Sequence, residues 1–291
     1  MFRRLFPLFV LILLSVGQAQ ADVDPPRDPA HPARVEVLHV PSADLEINGL
    51  AYVASGPGTH PTLLICHGWP GNEKNLDLAQ AVRRAGWNAI TFNYRGSWGS
   101  PGEFHFVQVS EDAAAVIAWL RRPEVAARLA VDPHRIAIAG HSMGGWATAR
   151  VAAADQTLLG AILIAPADMG GLGKLSRGDV VKAAAANAET LVTTPEKMAD
   201  ELIAQSEAFS LTRTAPGLAK ITLLVLTADD GLAASANSLV AAVRTQGSTR
   251  VQTQHFNTDH SWSDARLALA SSIVEWLQGI PSSHTDLRER Q

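Results

Sequence analysis

Arg135-Ile136-Ala137-Ile138-Ala139-Gly140-His141-Ser142-Met143-Gly144-Gly145-Trp146-Ala147-Thr148-Ala149-Arg150 is the stretch that decides how this chain folds. Ile136 to Ala139 is a run of small and β-branched residues, the pattern of a strand buried on both faces. Gly140-His141-Ser142-Met143-Gly144 then forms a G-x-S-x-G turn. Glycines on both sides of the serine leave room for a turn sharp enough to hold its hydroxyl above the strand's end. Ala147, Ala149, Ala152, Ala153 and Ala154 continue as a small-residue helix able to lie close on a sheet. A Gly-rich helix start with Ser142 as a simple cap would not need glycine on both sides.

Outward from this centre the chain alternates apolar strands with helical segments. Arg34 to Val40 alternates as a half-exposed strand, and Leu45 to Ala54, broken by Asn48-Gly49, reads as a hairpin. Thr62 to Cys66 is fully apolar and runs into His67-Gly68-Trp69-Pro70-Gly71. Asn75 to Gly86 has a helical pattern, Trp87 to Phe92 is a strand, and a glycine-rich loop covers Asn93 to Gly102. A helix follows from about Val109 to Leu120, with Ser110 or a neighbour as its cap, and Val131-Asp132-Pro133-His134 turns the chain into the central strand. Beyond the serine helix, Gly160 to Ala165, Ile221 to Thr227 and Arg250 to Phe256 are further strands, with helices near 235–246 and 264–277. About 166–219 is longer than a crossover helix needs, and is read as a lid with helical patches at Val180–Val192 and Pro195–Phe209. The expected class is α/β, a mostly parallel central sheet with helices on both faces, spanning 34–280.

Composition narrows the function. The 291 residues, 47% of them hydrophobic, suffice for one large core, and the net charge of −4 shows no basic stripe, so nucleic acid is not a suggested partner. Arg3 and Arg4, the apolar Leu5–Val16 and Ala19-Gln20-Ala21 read as a secretory signal peptide over 1–21, cut after Ala21. That predicts a secreted or periplasmic protein with no stable membrane anchor after cleavage, a linker over 22–33, and a charged C-terminal tail at 281–291. Cys66 is the single cysteine, so no internal disulfide forms, and inside a strand it reads as a small buried hydrophobe. No Cys/His cluster has metal-ligand spacing; neither a metal nor another cofactor is expected.

Three strand-end loops carry groups for nucleophilic catalysis: Ser142, then Asp229 or Asp230, then His260. A serine hydroxyl needs a base, a histidine near neutrality can take and return the proton, and a carboxylate fixes that histidine's tautomer. The backbone N–H groups of Met143 and Trp69 are placed to stabilise a developing oxyanion. His67, His141, His105 and His255 read as structural. Asp259 reads as a cap of the His260 loop, and Arg95 as a loop-ordering ion pair. Trp69, Trp98, Trp146 and Trp262 are candidates to line an apolar pocket.

His67-Gly68-Trp69, Gly140-His141-Ser142-Met143-Gly144, Asp229-Asp230 and Asp259-His260, in that order, resemble the serine hydrolases of the α/β-hydrolase superfamily. The nearer likeness is to esterases and acylaminoacyl-peptidase-like enzymes with a prolyl-oligopeptidase-type catalytic domain, whose Tyr-Arg-Gly loop is similar to Asn93–Ser100. The resemblance implies Ser142 as nucleophile, His260 as base, Met143 and Trp69 as oxyanion donors, and Asp230 as the acid. Thr227 stands where the family's strand-end pattern usually has glycine, which keeps Asp229 in play. It implies a small-molecule ester or amide substrate, with carboxylic ester hydrolysis first and peptidase action second. A haloalkane dehalogenase would carry aspartate at 142, and a catalytically dead carrier would have lost a triad member.

Overall fold

The computed structural model describes residues 24–280; the expected signal peptide and C-terminal tail lie outside them. Eight strands form one sheet: β1 (Arg34–Ser42), β2 (Leu45–Val53), β3 (His60–Cys66), β4 (Asn88–Phe92), β5 (Val131–His141), β6 (Ala161–Ile164), β7 (Leu223–Ala228) and β8 (Val251–Phe256). Their spatial order is β1-β2-β4-β3-β5-β6-β7-β8. β2 pairs antiparallel with β1 and β4, and every other pairing is parallel.

Strand residues alternate between faces, so each central strand feeds two cores. Leu64, Cys66, Ile136 and Ile138 enter one core with α2 (Phe106–Leu120), α3 (Pro123–Leu129), α4 (Met143–Ala154) and α9 (Ala233–Thr245). Leu63, Ile65, Ala137 and Ala139 enter the other, beneath α1 (Leu76–Arg84) and α10 (Arg266–Gly279). Alanine at 137 and 139 on the second face lets α1 and α10 settle close to the sheet.

The segment after β6 folds as four short α-helices, α5 (Met169–Leu172), α6 (Arg177–Ala185), α7 (Pro195–Ala204) and α8 (Ala215–Leu218), with a 3-10 turn at Leu211–Thr214 before the last. Its buried Val180, Met198, Leu202, Phe209 and Leu211 join the α4-side core, so the insertion is packed rather than loose. A backbone bridge ties it to the glycine-rich loop: Val192 N–H donates to Gly96 O at 2.8 Å, and Phe104 N–H donates to Val192 O at 3.0 Å.

Three local expectations fail for identifiable reasons. Asn48-Gly49 is not a turn; it lies inside a continuous β2, where a Cβ at Gly49 would stand 2.5 Å from Thr91 O of the neighbouring strand. The hairpin turn sits one step earlier, between Ser42 and Leu45. α2 begins at Phe106 rather than near Val109, because Glu201 of α7 accepts hydrogen bonds from Phe106 and Val107 N–H at 3.0 and 2.8 Å and replaces a local cap. β5 already starts at Val131, with an irregular register between His60 and Thr62 of β3 absorbing the expected turn.

Candidate active site

Ser142 joins the end of β5 to the start of α4 with φ 59° and ψ −120°. A non-glycine residue held there stores about 1–3 kcal/mol of strain. The surrounding backbone holds it in place: Ser142 N–H donates to Ile164 O at 2.9 Å, and Ser142 O accepts from Gly145 and Ala167 N–H at 2.9 and 3.1 Å. The flanking glycines are required by contact. A Cβ at Gly140 would lie 2.1 Å from Gly144 O, and one at Gly144 would lie 2.2 Å from Cys66 O.

The loop after β3 crowds the serine. A Cβ at Gly68 would stand 3.2 Å from the Ser142 Cβ. Among the described residues, neither Met143 N–H nor Trp69 N–H has an intramolecular acceptor. Two free donors beside a hydroxyl are what an oxyanion needs. The loop itself is fixed by His67, whose Nδ1–H donates to Gly68 O at 2.8 Å, and by Tyr94, whose hydroxyl donates to His67 O at 3.1 Å. Burial pushes the His67 imidazole down to about 4, so it stays neutral. The Trp69 ring packs edge-on against Phe106 at 5.1 Å.

His260 sits in the loop after β8, and its Nδ1–H donates to Asp230 Oδ2 at 2.7 Å. The Asp230 side chain is only 2% exposed and also accepts Leu232 N–H at 2.9 Å through Oδ1. Asp229 faces away. It is 63% exposed and lies 3.1 Å from His255 Nε2, whose other ring nitrogen meets Thr227 Oγ1 at 2.9 Å. Thr227, which departs from the family's glycine, thereby helps draw Asp229 out and leaves Asp230 to His260.

His141 binds the two halves of the site together. Its ring lies 4.6 Å from the His260 ring, and its Nε2–H donates to His260 O at 2.8 Å. His260 is thus held beside the residue that precedes Ser142. Ser142 Oγ itself makes no hydrogen bond among the described residues. From the outer side Arg266 bonds Asp77 and Asn75 near the start of α1 and donates to Ser261 O at 3.3 Å. Neither Arg266 nor the His141 hook leaves a local sequence signal, since the partners are remote in the chain.

The remaining candidates fall outside the reacting centre. Arg95 orders its loop, as its Nε donates to the fully buried Asp112 at 2.6 Å. Asp259 accepts Ser263 N–H at 2.9 Å and caps the start of the closing segment. His105 lies near Glu103 and Glu201. Trp146 and Trp262 are core residues with no exposure, and Trp98 Nε1–H donates to Pro70 O at 2.7 Å. Of the four tryptophans expected around a pocket, only Trp69 and Trp98 are partly exposed.

A model of the alpha/beta hydrolase family matches residues 63–280, which include Ser142, Asp230 and His260. The chain belongs to the alpha/beta hydrolase family. Family membership supports hydrolase activity. Among curated relatives, this chain is 36% identical over 109 residues to an uncharacterized 31.7 kDa protein of the traX-finO intergenic region of Escherichia coli, with 36% of each chain covered. It is 31% identical over 114 residues to an uncharacterized protein of Mycobacterium tuberculosis, with 39% of each covered. The matches thus span little more than a third of these relatives' length. Among solved structures, an acylaminoacyl peptidase of Pyrococcus horikoshii superposes with a TM-score of 0.66 at 17% identity, covering 87% of this chain and 42% of that one. A Pyrococcus furiosus esterase gives 0.64 at 16% identity, covering 89% and 98%. At such identities the likeness is one of fold.

Proposed function

We propose that this hydrolase cleaves carboxylic esters through an acyl-enzyme on Ser142. The observation that carries this reading is the Asp230–His260 pair at 2.7 Å, hooked to the residue beside a strained serine. Ser142 Oγ attacks the ester carbonyl while His260 Nε2 takes its proton. The carbonyl oxygen, now an oxyanion, is received by Met143 and Trp69 N–H. Collapse breaks the C–O bond to the alcohol, which leaves with the proton from His260. Water then attacks the acyl-enzyme, giving one proton to His260; collapse passes that proton to Ser142 Oγ, and the carboxylic acid departs and loses its remaining proton to solvent. Asp230 holds the imidazole in the Nδ1–H tautomer and balances the imidazolium charge in both steps.

Amide bonds are the second reading, favoured by the acylaminoacyl peptidase among the structural neighbours. The partner in either case is a small-molecule ester or amide. The packed segment 166–219 acts as the lid, and the N-terminal 1–21 directs export, with the mature chain in the periplasm or outside the cell.

Fluorophosphonate labelling of the full chain, mapped by peptide mass, tests the nucleophile: label on Ser142 is expected, and an inert wild type would sink the reading. A panel of short-chain esters, long-chain esters and aminoacyl anilides then separates esterase from lipase and peptidase.

A further inference from the structure

The G-x-S-x-G turn leaves its second position open to many side chains, and this chain places histidine there. His141 is 5% exposed and ends β5, whose backbone is bonded to β3 on one side and β6 on the other. Its Cα is therefore fixed with the frame of the sheet. The ring leaves that frame and reaches across 119 residues of sequence to the carbonyl of His260.

A carbonyl oxygen only accepts, so the ring nitrogen facing it, Nε2, carries the proton. Burial, followed by the nearby His260, pushes the His141 imidazole down to about 4, so the ring is neutral around pH 7. Its Nδ1 then holds a lone pair and no charge, and the imidazolium that forms on His260 meets no competing cation from this ring.

The loop that carries His260 is also held through its other residues: Asp259 accepts Ser263 N–H at 2.9 Å and the Trp262 ring is buried. Thr258 O accepts Asp229 N–H at 3.0 Å, Asp259 O accepts Trp262 N–H at 3.0 Å, and Arg266 reaches Ser261 O at 3.3 Å. The carbonyl of residue 260 has no other bond among the described residues. The imidazole's distance from Ser142 is thus set at one end by Asp230 and at the other by His141.

We infer that His141 is a positioning residue: its Nε2–H hook, mounted on the residue before Ser142, sets the reach between His260 and the serine hydroxyl. The inference rests on the Ser142–His260 reading of the site. A side chain without this donor releases the carbonyl of His260 and lets that residue drift within its loop, and a misplacement near 1 Å costs about 10²-fold in rate. The drift acts on proton transfer more than on substrate binding, so it lowers kcat and leaves KM nearly unchanged.

The first test uses the wild-type chain. Nitrogen NMR of the labelled imidazoles at neutral pH is expected to show His141 with its proton on Nε2; a proton on Nδ1 would overturn the inference. The second test compares His141→Phe, which keeps a flat ring but no donor, with His141→Gln, which restores an N–H. On p-nitrophenyl acetate His141→Phe is expected to lower kcat about 10²-fold, His141→Gln to recover part of that loss, and the downfield Nδ1–H resonance of His260 to broaden in the phenylalanine variant alone. A folded His141→Phe protein with wild-type kcat would refute the hook. A wild type that takes no fluorophosphonate label would refute the serine mechanism instead. Should the phenylalanine variant show no cooperative melt, the wild-type tautomer decides.

Discussion

The Cα hydrogen of Gly68 points at Ser142, and a methyl group there would stand 3.2 Å from the serine Cβ and 3.3 Å from His141 O. One loop thus uses the absence of a side chain to approach the turn that carries the hydroxyl. Gly68→Ala is expected to push these neighbours apart by a few tenths of an ångström. Such a shift lowers kcat/KM about tenfold, while thermal unfolding moves down by only a few degrees. Steady-state kinetics on a soluble ester, beside a melting curve, checks both.

Ser142 holds a backbone conformation that glycine adopts without strain. Ser142→Gly is expected to raise stability by about 1 kcal/mol, the relief of strain exceeding the added flexibility of the unfolded chain. Ser142→Ala keeps the Cβ and the strain, so it gains nothing. Both abolish ester turnover. Urea denaturation of the three proteins distinguishes them, and a glycine variant no more stable than alanine would show that the turn is unstrained.

The two adjacent aspartates have opposite surroundings. Asp230 is sealed against His260, whereas Asp229 is mostly exposed beside His255. Asp230→Asn leaves the shape intact but turns a donor toward His260 Nδ1, and about a 10³–10⁴-fold loss of kcat is expected, the scale seen where a triad aspartate is replaced in this way. Asp229→Asn loses an exposed contact worth under about 1 kcal/mol, and its kcat stays near wild type.

Two buried imidazoles give the fold a defined response to acid. His67 and His141 are each pushed from an ordinary 6.5 to about 4 by burial. Above 6.5 both are neutral whether the chain is folded or not, and their contribution to stability is complete. As the pH falls from 6.5 toward 4 the unfolded chain takes up two protons that the folded chain refuses. Stability then drops by up to about 1.4 kcal/mol per pH unit for each group. Urea midpoints across that range should show the slope, and His67→Asn should roughly halve it. A flat profile in the wild type would mean that the two rings ionise freely while folded.

Much of this arrangement could be read before any coordinates. The run Ile136–Ala139 into Gly140–Gly144 fixed the central strand, the turn and the helix, because burial on both faces and crowding at the turn each leave a mark on residue type. Ser142, His260, Met143 and Trp69 were expected on strand-end loops, and the fold brings the His260 loop beside the Ser142 turn through His141. What sequence left open was settled by contacts between remote segments. Asp229 and Asp230 are neighbours of equal chemistry, and only the fold shows which one His255 draws away. The start of α2 was misplaced because its cap, Glu201, comes from a different helix. Gly49 looked like a turn because the strand that crowds it lies 42 residues further on, at Thr91. Trp146 and Trp262 looked like pocket walls, yet size and polarity do not distinguish a wall from a core.

Cys66 lies fully buried at the end of β3, and burial pushes its thiol up to about 12. The folded chain consequently offers no thiolate to oxidants, heavy metals or alkylating agents. Handling in air should not link one copy to another, and maleimide dyes should attach only after denaturation. A covalent tag can therefore be installed at any engineered surface cysteine without competition from the native sulfur.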